Sequence, residues 1–286
     1  MKGLLLHPRT RQQFDQFTKT GNHALLITGQ PGAGKETTAL LFAQELLGGK
    51  SLDLQPYFKH VIPESNSVSI EQIRQLHSFV QLKTTGQETI RRVVVISQAD
   101  TMADEAQNAL LKLLEEPPVD TVLILTAIDA GKMRQTILSR VQTVSIDRIA
   151  ASDATEYFIA KHDAKDIAWA HALSDGQVGL MTALLSGKSE HAVAQQIEIA
   201  KQILAASVFD RLCRVDEIGK SKDLLPDFMY ACKRICISAL ESAAKKGASQ
   251  QVTAWHKRLS VVVDAEDGLR TNVSPKLLLT DLFVRL

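Results

Sequence analysis

Gly29-Gln30-Pro31-Gly32-Ala33-Gly34-Lys35 is the stretch of this chain whose residue types and spacing point most directly to chemistry. It fits the pattern G-x-x-x-x-G-K, with an apolar run before it and a helix-forming run after it, the setting in which that pattern cradles phosphate. Gly29, Gly32 and Gly34 let the backbone curl so that its N–H groups face inward. The helix N-terminus adds positive potential, and Lys35 is placed to reach the outer phosphates. The next residue breaks the pattern. A Ser or Thr hydroxyl binds Mg²⁺ there, but this chain has Glu36, whose carboxylate carries negative charge toward a triphosphate. Thr37 and Thr38 come one and two positions later and turn elsewhere around the helix.

Phosphoryl transfer also needs a carboxylate for the metal at the end of a second buried strand, often with another to activate water. Val93-Val94-Val95-Ile96 reads as that strand, and Ser97 and Gln98 follow it. Neither is a carboxylate, and Asp100 comes only after the strand end. The two departures agree: a nucleotide-binding scaffold without the parts for hydrolysis. This reading requires no cofactor and leaves ATP binding by the altered loop open. It assigns no metal: His7, His23, His60 and His77 show no ligand spacing, and Glu115-Glu116, at a helix end before two prolines, reads as a solvated boundary.

The elements that must position these residues alternate in the first half of the chain. Strands are expected at His23–Thr28, His60–Ile62, Val93–Ile96, Val122–Leu125 and Val141–Ile146. Between them lie helical patterns: Glu36–Leu47, closed by Gly48-Gly49; Ile70, Ile73, Leu76 and Val80; and Ala106, Ala109, Leu110, Leu113 and Leu114, ended by Pro117-Pro118. Strands separated by helix-length segments imply a parallel sheet. After about Asp147 helical patterns prevail, with Ser260–Val263 readable as strand or buried helix. Cys232 and Cys236 fall at i, i+4 and read as buried apolar residues, while Trp169 and Trp255 read as packing anchors.

Composition narrows the function class. The 286 residues carry 33 Lys and Arg against 32 Asp and Glu, so no global field draws the chain to nucleic acid or an anionic membrane. Aromatics are 5%, too few for stacking on single strands to dominate. Three cysteines fit a reducing compartment. The opening run of Leu4-Leu5-Leu6 is too short for a signal segment, and no stretch approaches the ~20 apolar residues of a membrane span. A cytoplasmic protein is expected.

Several stretches carry a family resemblance. Ile70-Glu71-Gln72-Ile73-Arg74-Gln75-Leu76, Ala99-Asp100, Asn108-Ala109-Leu110-Leu111-Lys112-Leu113-Leu114-Glu115-Glu116-Pro117 and Thr136-Ile137-Leu138-Ser139-Arg140 are similar to bacterial clamp-loader proteins of the AAA+ class, nearest to the DNA polymerase III delta-prime family. The resemblance runs from about His7 to Val141. It implies an α/β P-loop AAA+ module with a parallel sheet (1–147), a small helical lid (148–187) and an all-α collar domain for oligomerisation (188–286). It also implies a non-hydrolysing subunit of the replicative clamp loader, part of a DNA polymerase III holoenzyme. Its partners would be gamma/tau-like ATPase subunits, a delta-like subunit and, through the complex, the sliding clamp and primed DNA. Arg140 would act in trans as an arginine finger on a neighbour's nucleotide. The departures from the family are Val141 where relatives have Cys, no four-cysteine zinc module, Thr126-Ala127-Ile128 at the sensor strand, and no arginine in Gly176-Gln177-Val178-Gly179-Leu180. Two other functions compete with this one: a self-sufficient AAA+ P-loop ATPase, favoured by Lys35 and opposed by Glu36, Ser97 and Gln98, and a general DNA-binding module, opposed by the neutral charge balance.

Overall fold

The computed structural model describes residues 4–64, 67–85, 89–187, 192–269 and 273–286. Residues 1–3, ahead of the opening leucine run, and the start of the expected collar (188–191) lie outside the described residues. The chain divides into two compact units, Met1–Ile149 with Gln177–Gly179, and Ala150–Gly176 with Leu180–Leu286.

The first unit runs α1 (Pro8–Thr20), β1 (Ala24–Thr28), α2 (Lys35–Leu46), β2 (Phe58–Val61), α3 (Ile70–Val80), β3 (Arg92–Ile96), α4 (Asp104–Glu115), β4 (Thr121–Ala127), α5 (Gln135–Leu138) and β5 (Gln142–Ser145). The five strands form one parallel sheet in the order β2-β3-β4-β1-β5. Apolar side chains alternate across it. Leu26, Val94, Ile96, Leu123 and Leu125 pack with α3 and α4 on one face, and Leu25, Ile27, Val93, Val95 and Ile124 pack with α1 and α2 on the other. Every residue of β3 and β4 is buried, and Val93–Ile96 within β3 and Val122–Leu125 within β4 read as unbroken apolar runs. Local chemistry sets the helix ends. His7 Nδ1 accepts from Arg9 N ahead of Pro8, Ser69 and Gln72 form a capping box at α3, and Gly21 ends α1 at φ 66°.

The second unit holds α6 (Ala151–Phe158), α7 (Ala164–Ser174), most of α8 (Val178–Ser186), α9 (Ala192–Ala205), α10 (Val208–Cys213), α11 (Val215–Lys220), α12 (Leu225–Lys245), α13 (Ser249–Gly268) and α14 (Pro275–Arg285). Its core joins Leu173 and Leu180 to Phe228, Cys232, Cys236, Val262 and Phe283. Ser260–Val263 is helical, inside α13. Cys232 and Cys236 are buried as expected, and burial pushes the Cys236 thiol up to about 11. Trp255 packs against the core, but Trp169 is no anchor. It is 42% exposed, with Lys201 Nζ 4.6 Å from its ring centroid. Among the described residues, no helix is long and apolar enough to cross a membrane.

Candidate functional site

The glycine-rich loop leaves the C-terminal end of β1 and enters α2, as its sequence requires. Gly32 and Gly34 take left-handed φ values of 83° and 84°, conformations an L side chain rarely adopts. The loop bonds to itself. Lys35 Nζ donates to the carbonyls of Gly29 at 2.8 Å and Gln30 at 3.0 Å, and Ala33 N donates to Gln30 O at 3.1 Å. Burial pulls the Lys35 amine down to about 8, partly opposed by the charge of Asp100. Gly179 closes on the loop from outside. A Cβ at this position would sit 2.7 Å from Gly32 O and 2.7 Å from Gly34 N, so only glycine fits.

The side chains at the metal-binding positions of the motif, Glu36 and Ser97, both contact one histidine. Parallel pairing of β2 with β3 sets His60 opposite Val95, and Ser97 N donates to Val61 O at 2.9 Å. His60 Nε2 then lies 2.9 Å from Ser97 Oγ and 3.5 Å from Glu36 Oε1. Burial holds the imidazole pKa below its ordinary value, with Glu36 opposing. Both contacts fall on one ring nitrogen, so this is not a relay that passes a proton from one nitrogen to the other. Thr37 is exposed and Thr38 is buried.

Gln98 turns the chain out of β3 at φ 52°, a conformation uncommon outside glycine, and its N–H donates to Thr126 Oγ1 at 3.0 Å. Asp100 follows in a short 3₁₀ turn, and its Oδ2 accepts from the N–H groups of Ile128 and Asp129. The nearest carboxylate therefore ties the end of β3 to the end of β4. The residues at this loop do not fit Mg²⁺–nucleotide: a carboxylate replaces the hydroxyl, a serine and an amide replace the acidic pair, and His60 joins Glu36 to Ser97. Among the described residues, no group of three His, Cys, Asp or Glu side chains could hold a metal ion.

Arg140 stands at the other end of the sheet. It follows α5 and precedes β5 at the strand's N-terminal end, whereas the loop leaves the C-terminal end of the neighbouring β1. Five residues of strand span about 16 Å. Arg140 Nη1 donates to Thr136 O at 2.8 Å and Ser139 Oγ at 3.3 Å, and its Nη2 lies 2.9 Å from Glu115 Oε1. Glu115 is thus an ion-pair partner, where the sequence suggests only a solvated helix end. The sequence reads His60 only as a histidine without ligand spacing and Gly179 only as part of a stretch without arginine, and it reveals neither contact. His60 becomes visible only once β2 is set beside β3, and Gly179 lies far along the chain from the loop it touches.

Comparison with known proteins identifies the family and the fold. The sequence model of the family described as "DNA polymerase III, delta subunit" matches residues 7–150. The chain is 35% identical to DNA polymerase III subunit delta' of Bacillus subtilis over 138 residues, which is 43% of this chain and 41% of the relative. It is 33% identical to the subunit of the same name from Pseudomonas aeruginosa over 136 residues, again 41% of each. The chain therefore spans about two-fifths of the length of these curated relatives. A longer but weaker match, 27% over 233 residues, covers 75% of the chain and 68% of Replication factor C small subunit 1 of Pyrobaculum aerophilum. In fold, the chain is similar to a DNA polymerase III gamma subunit-related protein of Thermotoga maritima, with TM-score 0.53 and 17% identity over 96% of this chain and 97% of that one.

Proposed function

The chain belongs to the DNA polymerase III delta-subunit family of AAA+ clamp-loader proteins, and from that premise we propose that it is a non-hydrolysing clamp-loader subunit that supplies Arg140 to a neighbour. In this reading the AAA+ core (1–147) and the helical lid (148–187) sit beside a true gamma/tau-like ATPase subunit, and 188–286 joins the collar. The assembly, with a delta-like subunit, loads the sliding clamp onto primed DNA in the cytoplasm. The chain needs no cofactor of its own, and the altered loop holds no productive ATP.

The observation that carries the non-hydrolysing half is the contact of His60 with both Ser97 and Glu36. Phosphoryl transfer needs a metal to neutralise developing charge. Here the metal's two protein positions are joined by an imidazole, and Gly29, Gly32, Gly34 and Lys35 form a loop bonded to itself. Position supports the other half. Arg140 lies at the opposite end of the sheet from this chain's own loop, so any nucleotide it serves belongs to another chain. A planar, permanently charged fork suits a phosphoryl group, and a finger of this kind stabilises charge only as it develops.

The test has two arms. The isolated chain should show no Mg²⁺-dependent ATP turnover; turnover would restore the self-sufficient ATPase as the better reading. The complex purified through a tag on this chain should contain a clamp-loader ATPase, and Arg140→Ala should lower its turnover. Recovery of a monomer with no ATPase partner would overturn the assignment.

A further inference from the structure

The guanidinium of Arg140 is held from two sides, and only one of them is its own helix. Nη1 donates to Thr136 O and Ser139 Oγ, both from the turn that ends α5, while Nη2 pairs with Glu115 at the end of α4, 25 residues earlier in the chain. Two nitrogens of a planar group fixed by separate acceptors fix its plane. Both acceptor sets rest on rigid supports. Leu114, next to Glu115, and Ile137, at the centre of the α5 turn, are buried in the same apolar cluster, and Leu138 and Val141 pack against it on either side of Arg140. The end of α4 is pinned once more, since His23 Nε2 lies 3.0 Å from Leu114 O.

Glu115 is also out of place by the rules of an isolated helix. A carboxylate at a helix C-terminus lies against the negative end of the dipole. Arg140 is the cation that offsets it. The side chains are 36% and 48% exposed, so the pair adds little to stability, and its consequence lies in orientation.

We propose that Glu115 is the positioning residue for Arg140. It presets the guanidinium plane so that the exposed part of the fork meets an anionic phosphoryl oxygen presented by a neighbouring chain. This inference rests on the reading of Arg140 as a finger in trans. Glu115 makes no contact with the reacting atoms, and it acts only through Arg140.

The experiment uses the complex purified through a tag on this chain, with ATP as the probe, and compares the unmodified complex with Arg140→Ala, Glu115→Gln and the double variant. Glu115→Gln removes the charge while keeping the size. It should lower kcat by about tenfold, as a misplaced catalytic group does, with KM for ATP little changed. The double variant should match Arg140→Ala alone, because Glu115 has nothing to position once the arginine is gone. Thermal melting of the isolated variants should stay at the unmodified value, which separates positioning from folding. A Glu115→Gln complex with unchanged or raised kcat, while Arg140→Ala is impaired, overturns the positioning role and leaves the finger standing. A double variant slower than Arg140→Ala overturns it as well. If Arg140→Ala itself turns over normally, the finger reading fails first and the role of Glu115 falls with it.

Discussion

The Nε2 of His60 and the hydroxyl of Ser97 lie 2.9 Å apart, joining the ends of two neighbouring parallel strands at the position where a nucleotide-hydrolysing relative needs a metal carboxylate. Glu36 approaches the same nitrogen at 3.5 Å from the first turn of α2. The two altered positions of the motif are therefore one structural unit centred on the imidazole.

That unit makes stability depend on pH with a definite sign. Burial lowers the folded-state pKa of His60 from its ordinary 6.5, and Glu36 only partly opposes this. As pH falls below that value the unfolded chain takes a proton that the native chain refuses. The contribution is thus present at neutral pH and is lost as pH falls from 6.5 through the folded pKa. Urea unfolding at about pH 8 and about pH 5 should show this loss, and His60→Gln should remove that part of it. An identical pH dependence in the variant would refute the assignment.

Gly179→Ala offers a test in which two effects have opposite signs. In the first turn of an ordinary helix the change to alanine would stabilise by up to about 1 kcal/mol. Here the added Cβ meets Gly32 O, Gly34 N and Gly34 Cα within 2.8 Å, all of them backbone atoms that cannot swing away. Destabilisation of about 1–3 kcal/mol is expected from overpacking, with faster amide exchange across Gly32–Lys35 as the segment lifts from the loop. A raised melting temperature would mean that the contact does not persist in solution.

The sheet was legible because its signal is local. Val93–Ile96 and Val122–Leu125 are short apolar runs bounded by polar residues, and each lies in a fully buried strand. The substitutions Glu36, Ser97 and Gln98 were equally plain, since a motif fixes their places along the chain. What stayed hidden depends on pairs distant in sequence. Nothing near His60 announces Ser97, and Glu115 looks like any acidic helix end until α5 brings Arg140 to it. Arg92 was hidden differently. A basic pair at a strand start is usually solvated, but Arg92 is 1% exposed, because Val80 O and Leu82 O at the close of α3 supply acceptors that no sequence pattern reveals.

Lys35 should titrate apart from the other lysines. Burial lowers its amine from 10.5 to about 8, with Asp100 opposing. Between those values the unfolded chain holds a proton the native chain has released, so raising pH through this window adds stability from this group. NMR of the reductively methylated protein should give one lysine resonance titrating near the lower value, absent in Lys35→Arg. A full set of lysines titrating together would show that the loop is open and Lys35 solvated.

Arg92 and Arg91 are adjacent and carry the same charge, yet their removal should differ greatly. Arg92 donates to Val80 O, Leu82 O and, at 3.3 Å, Thr121 Oγ1, and pairs with Asp120 Oδ1 at 4.0 Å. Burial disfavours the Asp120 carboxylate, but the hydrogen bond from Thr84 and the Arg92 charge outweigh it and hold its pKa below the usual value. Arg92→Ala leaves that carboxylate without its buried cation and two carbonyls without donors, at an expected cost of about 3–5 kcal/mol. Arg91 is 32% exposed and lies 3.4 Å from the same carboxylate, a partly solvated pair for which Arg91→Ala should cost under about 1 kcal/mol. Denaturant midpoints of the two variants measure the difference directly. Equal, small losses would mean that Asp120 is served by solvent and that the end of β3 is more open than the burial of Arg92 implies.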